Sequence, residues 1–132
     1  MGELKKNIDI VREMRDCIRL IEETMDRFGD YQGLLLDNDY RAAAAFNIVR
    51  MNALRKWFSL GFRLAHPQLD KKMDIRKPGG TKPDVVMLWD VLQNEIPRRK
   101  AALVSILDNY GLVTSQAVNR DLWLSAKKDG EA

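Results

Sequence analysis

His66 is the only histidine in the chain, and it is the side chain best suited to move a proton near neutral pH. His66 precedes Pro67 at a predicted helix end. The alternative to a role in proton transfer is therefore that His66 caps the helix or lies in a loop. A lone histidine excludes a catalytic triad and a zinc site with two histidines. A lone cysteine, Cys17, excludes an intramolecular disulfide and a cysteine-rich metal cage. We therefore expect no metal site and no cofactor.

A basic segment of about residues 68–83 has the strongest local excess of positively charged side chains in the chain. Its cations could bind the phosphates of a nucleic acid, because lysine and arginine pair with phosphate oxygens. The predicted nucleic-acid-binding residues are Lys71, Lys72, Arg76, Lys77 and Lys82, with Arg98, Arg99 and Lys100 as candidates to join them. No aromatic residues are interleaved, so any RNA contact is expected to involve the backbone. The alternative is that these charges serve solubility alone.

The same segment contains a Pro-Gly-Gly turn at residues 78–80. Its spacing does not match a phosphate-binding loop, and no strand pattern precedes it. Only Met73 and Ile75 are apolar anchors there, so we expect a mobile basic loop between helices.

Composition limits the classes of protein that are possible. A chain of 132 residues with 45% apolar and 31% charged residues predicts one domain, residues 1–132, with its own core. The net charge of +3 is basic, but smaller than that of a dedicated nucleic-acid binder. The charged first residues and the absence of a long apolar stretch predict a cytoplasmic protein without a membrane segment.

Two long helices are predicted in the first half. Apolar residues three or four apart indicate an amphipathic helix from Leu4 to Phe28, stopped by Gly29, with a linker at residues 30–33. The Asp-Asn-Asp run at 37–39 predicts the cap of a second helix that reaches about Leu60. Its predicted apolar stripe includes Phe46, Val49, Ala53, Leu54, Trp57 and Phe58.

The second half predicts a third helix that starts at Pro83, kinks at Pro97 and ends at Gly111. Thr114 or Ser115 is expected to cap a short final helix, followed by a flexible tail at about residues 127–132. No alternating strand pattern occurs. The predicted fold is therefore all-α, an antiparallel up-and-down bundle of four to five helices.

The segment Trp89–Pro97, with its Trp, Gln-Asn pair, acid and Pro, resembles the penultimate-helix signature of HepT-like toxins in the HEPN superfamily. The segment Gly61–Leu69 is similar to the end of the second long helix in that family. The resemblance implies a helical bundle, usually dimeric, that acts as a metal-independent ribonuclease toxin beside a nucleotidyltransferase antitoxin.

The catalytic motif of that family, Arg, four residues, His, one residue, Tyr, is not preserved. With Arg76 in the first position, Thr81 replaces the histidine and the tyrosine is missing. A second register uses Leu64-Ala65-His66-Pro67, which reproduces the end of an Arg-Asn-x-Leu-Ala-His-Pro arrangement. Gly61 and Phe62 then replace the Arg and Asn, and Arg63 lies two positions away, about 200° around a helix.

The main functional prediction is a degenerate HepT-like binding module, a homodimer that pairs with a partner such as a nucleotidyltransferase in a toxin–antitoxin or defence system. One alternative is an active ribonuclease toxin that uses His66 and Arg63 as catalytic residues, with Arg76 and Lys77 holding phosphate. Another is a structural helical subunit with no role in RNA binding.

Overall fold

The structure is a computed structural model that describes residues 2–110, and no strand occurs in that range. Its helices are α1 (Gly2–Phe28), α2 (Tyr31–Leu36), α3 (Asn38–Leu54), α4 (Leu60–Ala65), α5 (Pro67–Asp70), α6 (Val85–Asp90) and α7 (residues 96–110). A 3₁₀ turn at Arg55–Trp57 follows α3, and a π-helical turn at Val91–Glu95 joins α6 to α7. The all-α prediction is confirmed. The predicted final helix and the 127–132 tail lie outside the described residues.

The long helix α1 is amphipathic, as its periodicity predicts. Ile10, Met14, Cys17 and Ile21 are buried on one face, while the opposite face carries exposed charged residues. Gly29 ends the helix with a φ of +89°, and its N–H donates to the carbonyl of Met25 at 2.8 Å. This left-handed conformation suits glycine, which explains why the helix stops there.

Two neighbours run antiparallel to α1. In α3, Tyr40 donates its hydroxyl to the carbonyl of Gly29 at 3.0 Å, so the start of α3 lies at the end of α1. At the other end, the amide of Asn7 donates to the Ser59 hydroxyl at 2.9 Å. In α7, Lys100 lies 2.7 Å from Glu22. The Arg12 guanidinium lies 5.7 Å from the Tyr110 ring, so α7 also runs antiparallel to α1.

The predicted linker at residues 30–33 is wrong, because most of it belongs to the short helix α2. Asp30 caps this helix by accepting a hydrogen bond from the Gly33 N–H at 3.2 Å. A Cβ on Gly33 would lie 2.3 Å from the Phe28 carbonyl oxygen. Glycine is therefore required at this position by the close approach of two backbone segments.

We expect Gly33→Ala to lower the free energy of unfolding by about 1–2 kcal/mol, because the added methyl forces the backbone of Phe28 to move. Gly61→Ala is the matched control. A Cβ on Gly61, within α4, meets nothing within 4 Å and should leave stability unchanged or raise it by up to about 1 kcal/mol. Urea denaturation of both variants measures the difference. Equal stability of the two variants would contradict this account of Gly33.

Helix α3 begins as predicted but buries a different face. Asp37 caps it, and its inner side contains Ala44, Ile48 and Met51. The apolar residues that predict this helix are not all buried: Phe46, Val49 and Trp57 are 67%, 47% and 64% exposed. Residues 46 and 49 lie on the side of α3 opposite 44, 48 and 51. In the described structure only the inner side is covered by α1, α2 and α6.

Helix α3 is also shorter than predicted. It ends at Leu54, and after the 3₁₀ turn the Ser59 hydroxyl accepts a hydrogen bond from the Phe62 N–H and starts α4. The side-chain amide of Asn7 donates from Nδ2 to the Ser59 hydroxyl, and its Oδ1 accepts from the Ser59 N–H. The break in the helix is thus fixed by a polar contact with α1.

The predicted irregularity near Pro97 is present, as a π-helical turn immediately before it. The N–H of Ile96 bonds to the carbonyl of Val91, five residues back. Proline has no N–H and crowds the carbonyl four residues earlier, so a wider turn at this point relieves the clash. The predicted start at Pro83 is wrong by two residues, because Asp84 caps the helix and Val85 is its first residue. No helix among residues 2–110 is both long and apolar enough to cross a membrane.

Candidate nucleic-acid interface

A cleft of about 400 Å³ lies between the C-terminal end of α3, the 3₁₀ turn and the first half of the 71–84 connection. Its charged lining consists of Arg55, Lys56, Lys72, Asp74 and Arg76. Four cations and one carboxylate leave a formal charge of +3 around one opening. Val49 and Ala53 are its exposed apolar lining residues. The excess of positive charge suits an anionic ligand.

The connection is held against α3 by one amide side chain. Asn52 donates from Nδ2 to the carbonyl of Met73 at 2.8 Å, and its Oδ1 accepts from the Met73 N–H at 2.8 Å. The side chains of Met73 and Ile75 are buried in the core. The predicted mobility of this segment therefore does not fit residues 73–75, which are anchored by polar and apolar contacts.

Two arginines bind consecutive carbonyls at the start of the connection. Arg55 donates to the carbonyl of Asp70 at 3.0 Å, and Arg99 donates to the carbonyl of Lys71 at 2.5 Å. These bonds fix the backbone immediately before Lys72. Since charge-assisted hydrogen bonds are the stronger ones, the cleft has a defined wall before any ligand arrives.

The prediction that Arg99 joins an exposed basic patch is wrong, because this residue is only 3% exposed. It shares the inner face of α7 with Ile96 and Leu103, three residues before and four after it. Burial lowers the pKa of the Arg99 guanidinium, while Glu95, 3.8 Å away, opposes that change. Arg99 therefore does not face solvent, and its contribution to the cleft is to hold the backbone at Lys71.

The second half of the connection forms the predicted turn. Gly79 has a φ of +78°, and the Gly80 N–H bonds to the Lys77 carbonyl at 2.8 Å. The Asp84 N–H then bonds to the Ile75 carbonyl at 2.7 Å and closes the loop. Lys77 lies 3.4 Å from the Asp84 carboxylate, which partly neutralises it.

The structure separates the five predicted nucleic-acid-binding residues into two groups. Lys72 and Arg76 line the cleft, whereas Lys71, Lys77 and Lys82 are exposed but do not line it. The sequence analysis missed Arg55 and Lys56. They lie far from the basic segment in sequence, and only the packing of the connection on α3 brings them to it.

Asp84 gives this region a pH dependence. The hydrogen bond from the Met87 N–H, and secondarily Lys77, hold the pKa of the Asp84 carboxyl below its ordinary value. A carboxyl with a lowered pKa stabilises the fold above its unfolded-state pKa, and this contribution is lost as the pH falls through the folded-state value. We expect the stability difference between the wild type and Asp84→Asn to disappear on acidification below about pH 4. Thermal unfolding across this range measures it, and a constant difference would contradict it.

The two predicted catalytic residues have other partners. Arg63 donates from Nε to the Asp70 carboxylate at 2.7 Å, and Asp70 also lies 3.8 Å from Arg55. The ring of His66 packs on Phe62 with the ring centroids 4.4 Å apart. The Arg63 charge is therefore balanced by Asp70, and the imidazole lies against an aromatic ring.

The cleft offers cations and apolar contacts. Within residues 2–110, no three His, Cys, Asp or Glu side chains are grouped so that they could hold a metal ion. The exposed side chains of Lys56, Lys72 and Arg76 lie at the opening of the cleft, while Arg55 and Arg99 are held by backbone carbonyls of the connection. Compared with known proteins, the chain matches no family model, no curated protein and no solved structure.

Proposed function

We propose that this protein is a non-catalytic helical binding module that holds the sugar–phosphate backbone of RNA in the cleft between α3 and the 71–84 connection. The observation that carries the proposal is the grouping of Arg55, Lys56, Lys72 and Arg76 around one opening with a single carboxylate, Asp74. Cations that neutralise phosphates release bound counterions, which favours binding.

The cleft favours backbone contacts over base recognition. Among the described residues of its lining there is no aromatic side chain on which a base could stack. Asn52 is the single amide among them, and both ends of that amide are already bonded to Met73. Binding of this kind discriminates weakly between RNA sequences, because phosphate contacts position the strand but do not depend on the identity of its bases.

The resemblance to HepT-like proteins extends the proposal to protein partners. In this view the chain keeps the bundle and has lost the catalytic motif, and it pairs with itself and with a nucleotidyltransferase. The exposed Phe46 on the outer side of α3, which does not line the cleft, supports a protein contact, since large exposed apolar side chains favour association. Light scattering of the purified chain, alone and with a co-expressed nucleotidyltransferase, tests this part.

RNA binding is tested with a labelled single strand of about 12 nucleotides, by fluorescence anisotropy. With four phosphate contacts, the logarithm of the binding constant should fall against the logarithm of salt concentration with a slope of about −3. Binding that is absent at about 50 mM salt, or independent of salt, would refute the proposal.

The ribonuclease alternative is tested on the same samples by following RNA length over time. We expect the RNA to stay intact with the wild type and with His66→Ala. Cleavage by the wild type that is lost in His66→Ala would replace the binding proposal with the catalytic one.

A further inference from the structure

An exposed apolar patch lies at the corner of the bundle where the 3₁₀ turn is followed by α4. It consists of Trp57, Leu60 and Leu64, whose exposed fractions are 64%, 70% and 74%. Single exposed apolar residues are ordinary, but several close together mark a contact surface. None of these three residues lines the basic cleft. The patch therefore needs an explanation of its own.

The two leucines face outward because the opposite side of α4 is packed on the bundle. They are four residues apart, so they lie on one face of this short helix. Phe62 is about 200° around the helix from each of them. Its ring packs on those of Phe58, which is buried, and His66, with centroid distances of 4.4 Å in both pairs. The leucines are therefore held away from the core.

Contacts with α1 bring a cation to the same surface. The Lys6 ammonium lies 5.8 Å from the centroid of the Trp57 ring, within the range of a cation–π contact. The hydrogen bonds between Asn7 and Ser59 fix this part of α1 beside the turn. Lys56, which is also exposed, directly precedes Trp57. The patch thus combines apolar side chains with two lysines.

The charge around the patch is mainly positive. No Asp or Glu occurs in residues 40–69. The next carboxylate, Asp70, lies 2.7 Å from the Arg63 guanidinium, which balances it. On α1 the acidic residues near the patch are Glu3 and Asp9, and Asp9 is paired with an arginine of the same helix at 3.6 Å. An anionic surface is therefore the electrostatic complement of this corner.

A lipid surface suits the shape of the patch better than another protein does. Its three side chains project into solvent, and a fluid interface adapts to such a projection, whereas anchor residues of protein interfaces need a matching pocket. Indole rings favour the boundary between headgroups and acyl chains. Lysines close to that boundary are attracted to anionic headgroups.

We propose that Trp57, Leu60 and Leu64 insert into the surface of a membrane that contains anionic lipids, with Lys6 and Lys56 beside the headgroup phosphates. The contact is peripheral, through one corner of the bundle. It does not rest on the proposed RNA binding, because neither the three apolar residues nor Lys6 line the cleft.

The test is sedimentation of the full-length protein with phosphatidylcholine vesicles, with and without phosphatidylserine, at about 0.1 M salt. The wild type should bind more strongly to the vesicles that contain phosphatidylserine. Leu60→Gln with Leu64→Gln should lower the partition coefficient at least about tenfold, because two apolar side chains no longer enter the bilayer. Leu36→Gln with Val86→Gln is the matched control, since these residues are 79% and 65% exposed on other helices. It should bind like the wild type.

Two further variants separate the charge from the apolar contact. Lys6→Ala should lower the partition coefficient about fivefold for vesicles with phosphatidylserine and leave binding to phosphatidylcholine alone unchanged. Brominated phosphatidylcholine should quench the fluorescence of the wild type, and Trp57→Phe should remove that quenching.

Three outcomes would overturn the proposal. The first is a wild type that sediments with neither kind of vesicle, and the second is equal loss of binding in the two double variants. The third is a smaller mass for Leu60→Gln with Leu64→Gln than for the wild type, measured by light scattering without vesicles. That result would identify a second copy of the chain as the occupant of the patch.

Discussion

Replacing Lys56, Lys72 and Arg76 together with alanine is expected to weaken RNA binding about 100-fold. Each of these side chains is exposed and lines the basic cleft, so its removal costs phosphate contacts without opening the core. At up to about 1 kcal/mol for each exposed ion pair, three contacts amount to roughly two orders of magnitude in affinity. The salt slope should fall in magnitude by about 2, because three fewer phosphates are neutralised.

The control is a variant with the same loss of charge elsewhere. Lys5, Arg15 and Arg27 are exposed on α1, and none of them lines the cleft. Their triple alanine variant loses the same charge but no contact in the cleft, so only the long-range electrostatic potential of the protein is reduced. We expect it to bind RNA within about threefold of the wild type. Both variants are measured by anisotropy at two salt concentrations. Equal weakening in the two would mean that the whole surface, rather than this cleft, attracts the RNA.

Local signals in the sequence were sufficient to predict α1 and the start of α3. The three- and four-residue spacing from Ile10 to Ile21 indicates α1, and Gly29 and Asp37 mark where one helix ends and another begins. These features depend only on residues within one or two helical turns, so they do not depend on how the rest of the chain packs. The same reasoning gave the irregularity near Pro97, because the missing N–H is a property of that residue alone.

The faces of α3 could not be predicted in the same way. This helix is apolar on several sides: Phe46 and Val49 are as hydrophobic as the buried Ile48 and Met51. Periodicity then fails to select a core face, and the choice depends on where α1 packs. Likewise, the charge on Arg99 suggested exposure, although its spacing from Ile96 and Leu103 places it on the inner side of α7.

The binding cleft was predicted only in part. Lys72 and Arg76 belong to a basic run that is visible in the sequence, but Arg55 and Lys56 are added by tertiary packing. The contact that creates the cleft joins Asn52 to Met73, which are 21 residues apart. A single asparagine in a helical pattern gives no signal of such a bond, because most asparagines on helices face solvent.

Asn52→Leu is expected to lower the free energy of unfolding by about 3 kcal/mol. The substitution keeps a side chain of similar size but leaves the buried N–H and C=O of Met73 without partners, and each unpaired group costs about 1–3 kcal/mol. RNA affinity should also fall, although no charge is lost, because Asn52 fixes the position of the connection that carries Lys72 and Arg76. Asn94→Leu is the matched control, since Asn94 is exposed and bonds only to Asp90 across one helical turn. Urea denaturation and anisotropy are measured on both variants under conditions where each is folded. If Asn52→Leu is as stable as Asn94→Leu, or is destabilised yet binds RNA like the wild type, the connection does not depend on this amide for its placement.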